Sequence, residues 1–157
     1  MSIRALINED LIDLHLHGSN QLNVIEQMAS MLERQGRIES KSIFTECVLE
    51  REAQVTTGFG NGIAIPHGKD ETVKDTSISI GKLSNSVDWK AMDDRDVSFV
   101  IMLAIPESEA GTTHLQILSQ LSGKLMDEDF RDSLMKANEK EDVLNLLSDC
   151  ITEKNIG

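Results

Sequence analysis

Tyrosine is absent from the 157 residues, and the aromatic side chains amount to Phe44, Phe59, Trp89, Phe99 and Phe130. A surface that stacks on nucleic-acid bases therefore has almost nothing to build on. The two cysteines, Cys47 and Cys150, have the spacing of neither a metal knuckle nor a redox pair, and buried thiols in a reducing cytosol are the expectation. Basic runs are missing too: 15 Lys and Arg are scattered among 27 Asp and Glu. The net charge of −12 repels phosphate backbones, so nucleic acid is excluded as a partner and basic proteins suit the surface better. No apolar stretch approaches the roughly 20 residues that a membrane-spanning helix requires, so no direct membrane insertion is expected. The opening MSIRALINEDLIDLHLHG carries charges where a secretory signal would be apolar, which points to a cytoplasmic chain.

What is present reads as a single α/β domain over residues 1–157. Ile12, Leu14 and Leu16 alternate with polar residues, as in a strand with one buried face, and Gly18 ends it. From a cap at Ser19 or Asn20, Leu22, Ile25, Met28, Ala29 and Leu32 repeat at helical spacing up to Gly36. Ser40 caps a second helix with the stripe Ile43, Phe44, Cys47 and Val48, running to about Glu52. Strands follow at Ile63–Ile65, Ser77–Leu83 and Asp96–Pro106, the last so continuously apolar that it is expected at the centre of the sheet. Turns are expected at SNS and MDDRD. Thr113 with Gln116 reads as a capping box for a helix that starts near His114, and Asp127 and Asn138 cap two further helices.

The segment TTGFGNGIAIPHGKDE concentrates four glycines and a proline between the helical and strand patterns. Its spacing is neither a dinucleotide fingerprint, which needs GxGxxG between strand and helix, nor a P-loop, which ends in GK[ST]. Pro66 and Gly68 end the strand before them and leave His67 at its C-terminal lip, where ligand sites of α/β sheets gather. On these residues alone His67 is either a site residue or the ornament of a surface turn. Gly58, Gly60 and Gly62 allow positive φ and close backbone approach, so their amides could converge on an anion beside the imidazole; ordinary turn formation explains them as well. His114, in a first helical turn, is placed either to meet an anion or to pack on the helix stripe. Arg51 closes the second helix just before the glycines, as a solvated charge or as a partner for a phosphoryl dianion. Each charge pair at 4 Å would then be worth about 4 kcal/mol at an effective dielectric of 20. His15 and His17 are explained by strand alternation, and a metal at His67 and His114 would need a third ligand from Asp70, Glu71 or Glu107, at no recognisable spacing.

REAQVTTGFGNGIAIPHGK, followed about 45 residues on by THLQILSQLS, resembles the fructose and mannitol type of enzyme IIA (EIIA type-2) of the bacterial sugar phosphotransferase system, over nearly the whole chain. The resemblance implies one three-layer α/β/α domain with a mixed sheet. It implies that His67 is phosphorylated, with His114 and Arg51 as supporting residues, and that Gly58, Gly60, Asn61, Gly62 and Gly68 cradle the phosphoryl group. No cofactor or metal is implied beyond the phosphohistidine intermediate. The donor would be the carrier protein HPr, the acceptor a IIB cysteine, and the indirect partner a membrane IIC transporter for fructose- or mannitol-type sugars. A nitrogen-related regulatory enzyme IIA would share the same residues, and a plain interaction domain would take no phosphoryl group at all. Phe59 stands where a smaller aliphatic residue is usual. Because His67 must serve two partners in turn, its imidazole is expected to be exposed.

Overall fold

The computed structural model describes residues 3–109 and 112–151, the side chains of 112–114 excepted. After a short helix α1 (Ile3–Leu6) and a 3-10 turn, strand β1 (Ile12–Leu16) buries alternate residues, as its period of two requires. Helix α2 (Gln21–Arg34) begins at Asn20, whose side chain accepts from the Asn23 amide at 2.8 Å, and it stops before Gly36 at φ 71°. Helix α3 (Lys41–Gln54) is capped by Ser40, whose hydroxyl accepts from the Ile43 amide at 3.2 Å. Two short strands, β2 (Gly58–Gly60) and β3 (Ile63–Ala64), precede β4 (His67–Asp70). Long strands β5 (Ser77–Val87) and β6 (Val97–Pro106) follow, then helices α4 (Thr112–Leu125), α5 (Glu128–Lys136) and α6 (Lys140–Cys150).

The sheet is mixed, in the order β1-β5-β6-β3-β2, with β4 also on β6. β1 runs parallel to β5, β5 antiparallel to β6, and β3 and β4 parallel to β6. β6 is central, and every residue from Phe99 to Ile105 is fully buried, because helices cover both faces and leave no polar side. One face carries α2 and α3: a Cβ on Gly81 of β5 would lie 3.1 Å from Met28 Sδ of α2. The other carries α4 to α6, toward which Lys82 of β5 reaches to donate its ammonium to the Ala137 carbonyl at 2.8 Å. The result is the three-layer α/β/α domain that the sequence implied.

Several local expectations change under tertiary packing. The segment SNS, expected as a turn, stays within β5, because Val87 pairs with Val97 and prolongs the β5–β6 hairpin. Leu22 is 44% exposed and Ile43 51% exposed, so the buried stripes of α2 and α3 are narrower than their apolar spacing suggested. α4 starts at Thr112, which puts Thr113 inside the helix rather than at its cap. α6 takes Glu139 as its cap residue, without a side-chain bond, so Asn138 is not the cap that was expected.

Candidate functional site

β3 and β4 lie end to end along one edge of β6. Ile63 faces Phe99, Ala64 faces Val100, His67 faces Leu103 and Gly68 faces Ala104, one register throughout. Pro66 interrupts the pairing because it has no N–H to give, yet its carbonyl accepts from the Leu103 amide at 3.0 Å and keeps the chain on the sheet. On the outer side, β2 pairs with β3, and the Ile65 amide donates to the Thr57 carbonyl at 3.0 Å. His67 thus opens a second strand just beyond the cover of β2, instead of standing past the end of a finished strand.

The His67 Nδ1 lies 3.1 Å from the Ile65 carbonyl. A carbonyl can only accept, so in the neutral ring Nδ1 carries the proton and Nε2 the lone pair. Burial pushes the His67 pKa below its ordinary value, the Ile65 carbonyl pulls it back up, and the Arg51 charge lowers it again. In its neutral form the ring presents the Nε2 lone pair. The residue is only 8% exposed, contrary to the expectation of an open imidazole. It forms part of the wall of a surface cavity of about 360 Å³ whose lining includes Arg51, Thr57, Gly58, Phe59, Leu118 and Ser122. Val55 and Met92, 58% and 79% exposed, form part of the same wall at the surface side. Access to the ring therefore runs through this cavity rather than across an open surface.

Arg51 enters the cavity from the last turn of α3, where its guanidinium also donates to the Val55 carbonyl at 2.9 Å. His114 has its backbone in the first turn of α4, one turn ahead of Leu118, which lines the cavity together with Ser122. Its side chain lies outside the described part of the structure. The structure thus brings Arg51 to His67 and sets the backbone of His114 on the helix that closes the same cavity.

Of the five residues expected to cradle a phosphoryl group, the structure brings one, Gly58, to the cavity. Gly60, Asn61 and Gly62 form the β2–β3 turn at φ 107°, 58° and 84°, and the Asn61 amide donates to the Asp93 carboxylate at 2.8 Å, so these residues are tied to the β5–β6 loop and do not line the cavity. Gly68 serves packing: a Cβ there would lie 2.9 Å from Phe44 Cε1 and 3.0 Å from Val48 Cγ2 of α3. Gly58 alone of the five borders the cavity, and it owes its identity to Ala91, whose Cβ and Cα would lie 2.6 and 2.7 Å from a Gly58 Cβ. Sequence reasoning missed Thr57, Met92 and Leu118 as wall residues, since no local motif marks a position that only the meeting of α3, α4 and the β5–β6 loop brings to the site. Among the described residues, no helix is long and apolar enough to cross a membrane.

A mixed-sheet α/β/α domain that presents an imidazole, with its Nδ1 on a backbone carbonyl, and a guanidinium to one surface cavity is the kind of protein that the fold and site define. The chain belongs to the family described as phosphoenolpyruvate-dependent sugar phosphotransferase system, EIIA 2, whose model matches residues 5–150. It is 34% identical over 94% of its length to the PTS system fructose-specific EIIABC component of Bacillus subtilis, of which it spans 23%. Among solved structures, the nitrogen regulatory protein IIA-Ntr from Neisseria meningitidis superposes with a TM-score of 0.85 at 32% identity, covering 92% of this chain and 97% of that one. The complex of enzyme IIAMTL and phosphorylated enzyme IIBMTL from Escherichia coli shares the fold, with a TM-score of 0.77 at 23% identity over 91% of this chain and 97% of that one.

Proposed function

We propose that His67 accepts a phosphoryl group on Nε2 from the phosphohistidine of HPr and passes it to a cysteine of a IIB protein, in support of fructose- or mannitol-type sugar uptake. The observation that carries this reading is the Nδ1 contact to the Ile65 carbonyl at 3.1 Å in a cavity shared with Arg51. In the step itself the donor P–N bond breaks as the Nε2–P bond forms, the donor nitrogen keeps the electron pair of the broken bond, and the Nδ1–H stays on the Ile65 carbonyl throughout. Such transfers pass through a loose, in-line transition state with charge spread over the equatorial oxygens, so positioning and fixed positive charge supply most of the catalysis. Arg51 supplies the charge, and the family resemblance gives His114 the role of adding a hydrogen bond. The fructose-specific EIIABC component of Bacillus subtilis and the Escherichia coli complex of enzyme IIAMTL with phosphorylated enzyme IIBMTL support a IIB acceptor and, beyond it, a IIC component.

The test is incubation with phosphoenolpyruvate, enzyme I and HPr, followed by intact-mass measurement. One phosphoryl group should be gained, labile to acid and stable to base, and none in His67→Ala; an unchanged wild-type mass would overturn the reading. A second reading, a regulatory enzyme IIA acting through phosphorylation-dependent protein binding, draws support from the likeness to IIA-Ntr. The two separate at the next step, because a transport carrier passes its phosphoryl group to a IIB cysteine and a regulator retains it.

A further inference from the structure

The chain between α3 and β2 is held by a set of hydrogen bonds, most of which meet at Thr57. Its amide donates to Glu52 Oε2 at 3.0 Å, and its hydroxyl donates to Glu52 Oε1. The same hydroxyl accepts from the indole N–H of Trp89 at 3.4 Å, and its carbonyl accepts from the Ile65 amide at 3.0 Å. Trp89 is 1% exposed and is tied back in turn, its own carbonyl accepting from the Thr56 hydroxyl at 3.2 Å. Thr57 is thus fixed from three elements: the end of α3, the segment after β5, and the strand that leads to His67.

Ile65 is the residue whose carbonyl holds His67 Nδ1–H. It precedes Pro66, which has no N–H to give, and the bond from its own amide to the Thr57 carbonyl ties it to the chain that leads into β2. Arg51 is governed by the same segment, since its guanidinium donates to the Val55 carbonyl two residues before Thr57. We infer that Glu52 and Thr57 are positioning residues for phosphoryl transfer: by locking Thr57 to the end of α3 they hold the Ile65 carbonyl that selects the His67 tautomer, and they hold Arg51 in register with that imidazole.

This inference rests on the reading of His67 as the phosphoryl acceptor, but its first readout does not. Replacing Thr57 with Val keeps the shape and the backbone bonds while removing the hydroxyl that Glu52 and Trp89 share. Thr57→Ser restores the hydroxyl, and Glu52→Gln removes the charge and one acceptor from the other side, which gives an independent variant should Thr57→Val unfold. Far-UV circular dichroism and thermal melting report whether each variant is folded. Nitrogen-15 shifts of the His67 ring report the tautomer without any phosphoryl donor, and single-turnover phosphorylation by phospho-HPr reports the rate. In Thr57→Val and Glu52→Gln, the Nδ1–H form should lose population to the Nε2–H form and the rate should fall about tenfold, as a small misplacement of reacting groups does. In Thr57→Ser both should return close to wild type. Folded variants with wild-type tautomer and rate would overturn the inference. A wild type that takes no phosphoryl group would sink the proposed function and with it the role in transfer, while variants that still shift the tautomer would show that Glu52 and Thr57 set the His67 ring by themselves.

Discussion

Gly68→Ala tests the link between packing and the site most directly. A methyl group on Gly68 would sit 2.9 Å from Phe44 Cε1, 3.0 Å from Val48 Cγ2 and 3.4 Å from Cys47 Sγ, against about 3.5–4.0 Å for comfortable carbon contacts. Phe44 and Val48 are both fully buried and have nowhere to turn, so α3 must retreat from the sheet by roughly 0.5–1 Å. Overpacking of this kind costs about 1–3 kcal/mol. For a domain of this size that lowers the melting temperature by about 3–10 °C. Arg51 lies two turns beyond Phe44 on the same helix and travels with it, which should slow phosphoryl uptake by about tenfold. Thermal melts followed by circular dichroism and single-turnover phosphorylation by phospho-HPr give the two numbers. A variant that melts within about 1 °C of wild type and is phosphorylated at the same rate would refute the reasoning.

Two further outcomes follow from the same geometry. Burial, aided by Arg51 and opposed by the Ile65 carbonyl, leaves folded His67 with a weaker hold on its proton than the unfolded chain, whose value is 6.5. Between the unfolded and folded values the unfolded chain binds more protons, so this group's share of stability is present above 6.5 and is lost as the pH falls toward the folded value. Urea midpoints measured across that window should drop less steeply in His67→Ala than in wild type, and equal slopes would contradict the assignment. Gly123, exposed on α4 with no heavy atom within 4 Å of a built Cβ, should gain about 0.5–1 kcal/mol as Ala, because a helical glycine carries an entropy penalty with no compensating role here. A lower melting temperature for Gly123→Ala would show that position 123 has a constraint not visible in the fold.

The sequence determined whatever depends on near neighbours along the chain. The alternation of Ile12, Leu14 and Leu16 imposes a half-buried strand, Asn20 and Ser40 start helices because their side chains reach amides three residues on, and the unbroken apolar run from Phe99 to Ile105 requires cover on both faces. His67 and Arg51 were legible as candidates through the residues that flank them and the family the chain resembles, and the structure brings both to one cavity. Tertiary structure alone decided which glycines border the cavity. Asn61 is turned from an expected anion donor into a tie by a carboxylate 32 residues away, and Gly68 is required by a helix rather than by a ligand. It also decided that His67 sits in the wall of a cavity, since that cavity exists only where α3, α4 and the chain after β5 meet. Pattern rules act through bonds spanning a few residues; a pocket wall is made of contacts between segments whose separation along the chain carries no periodic trace.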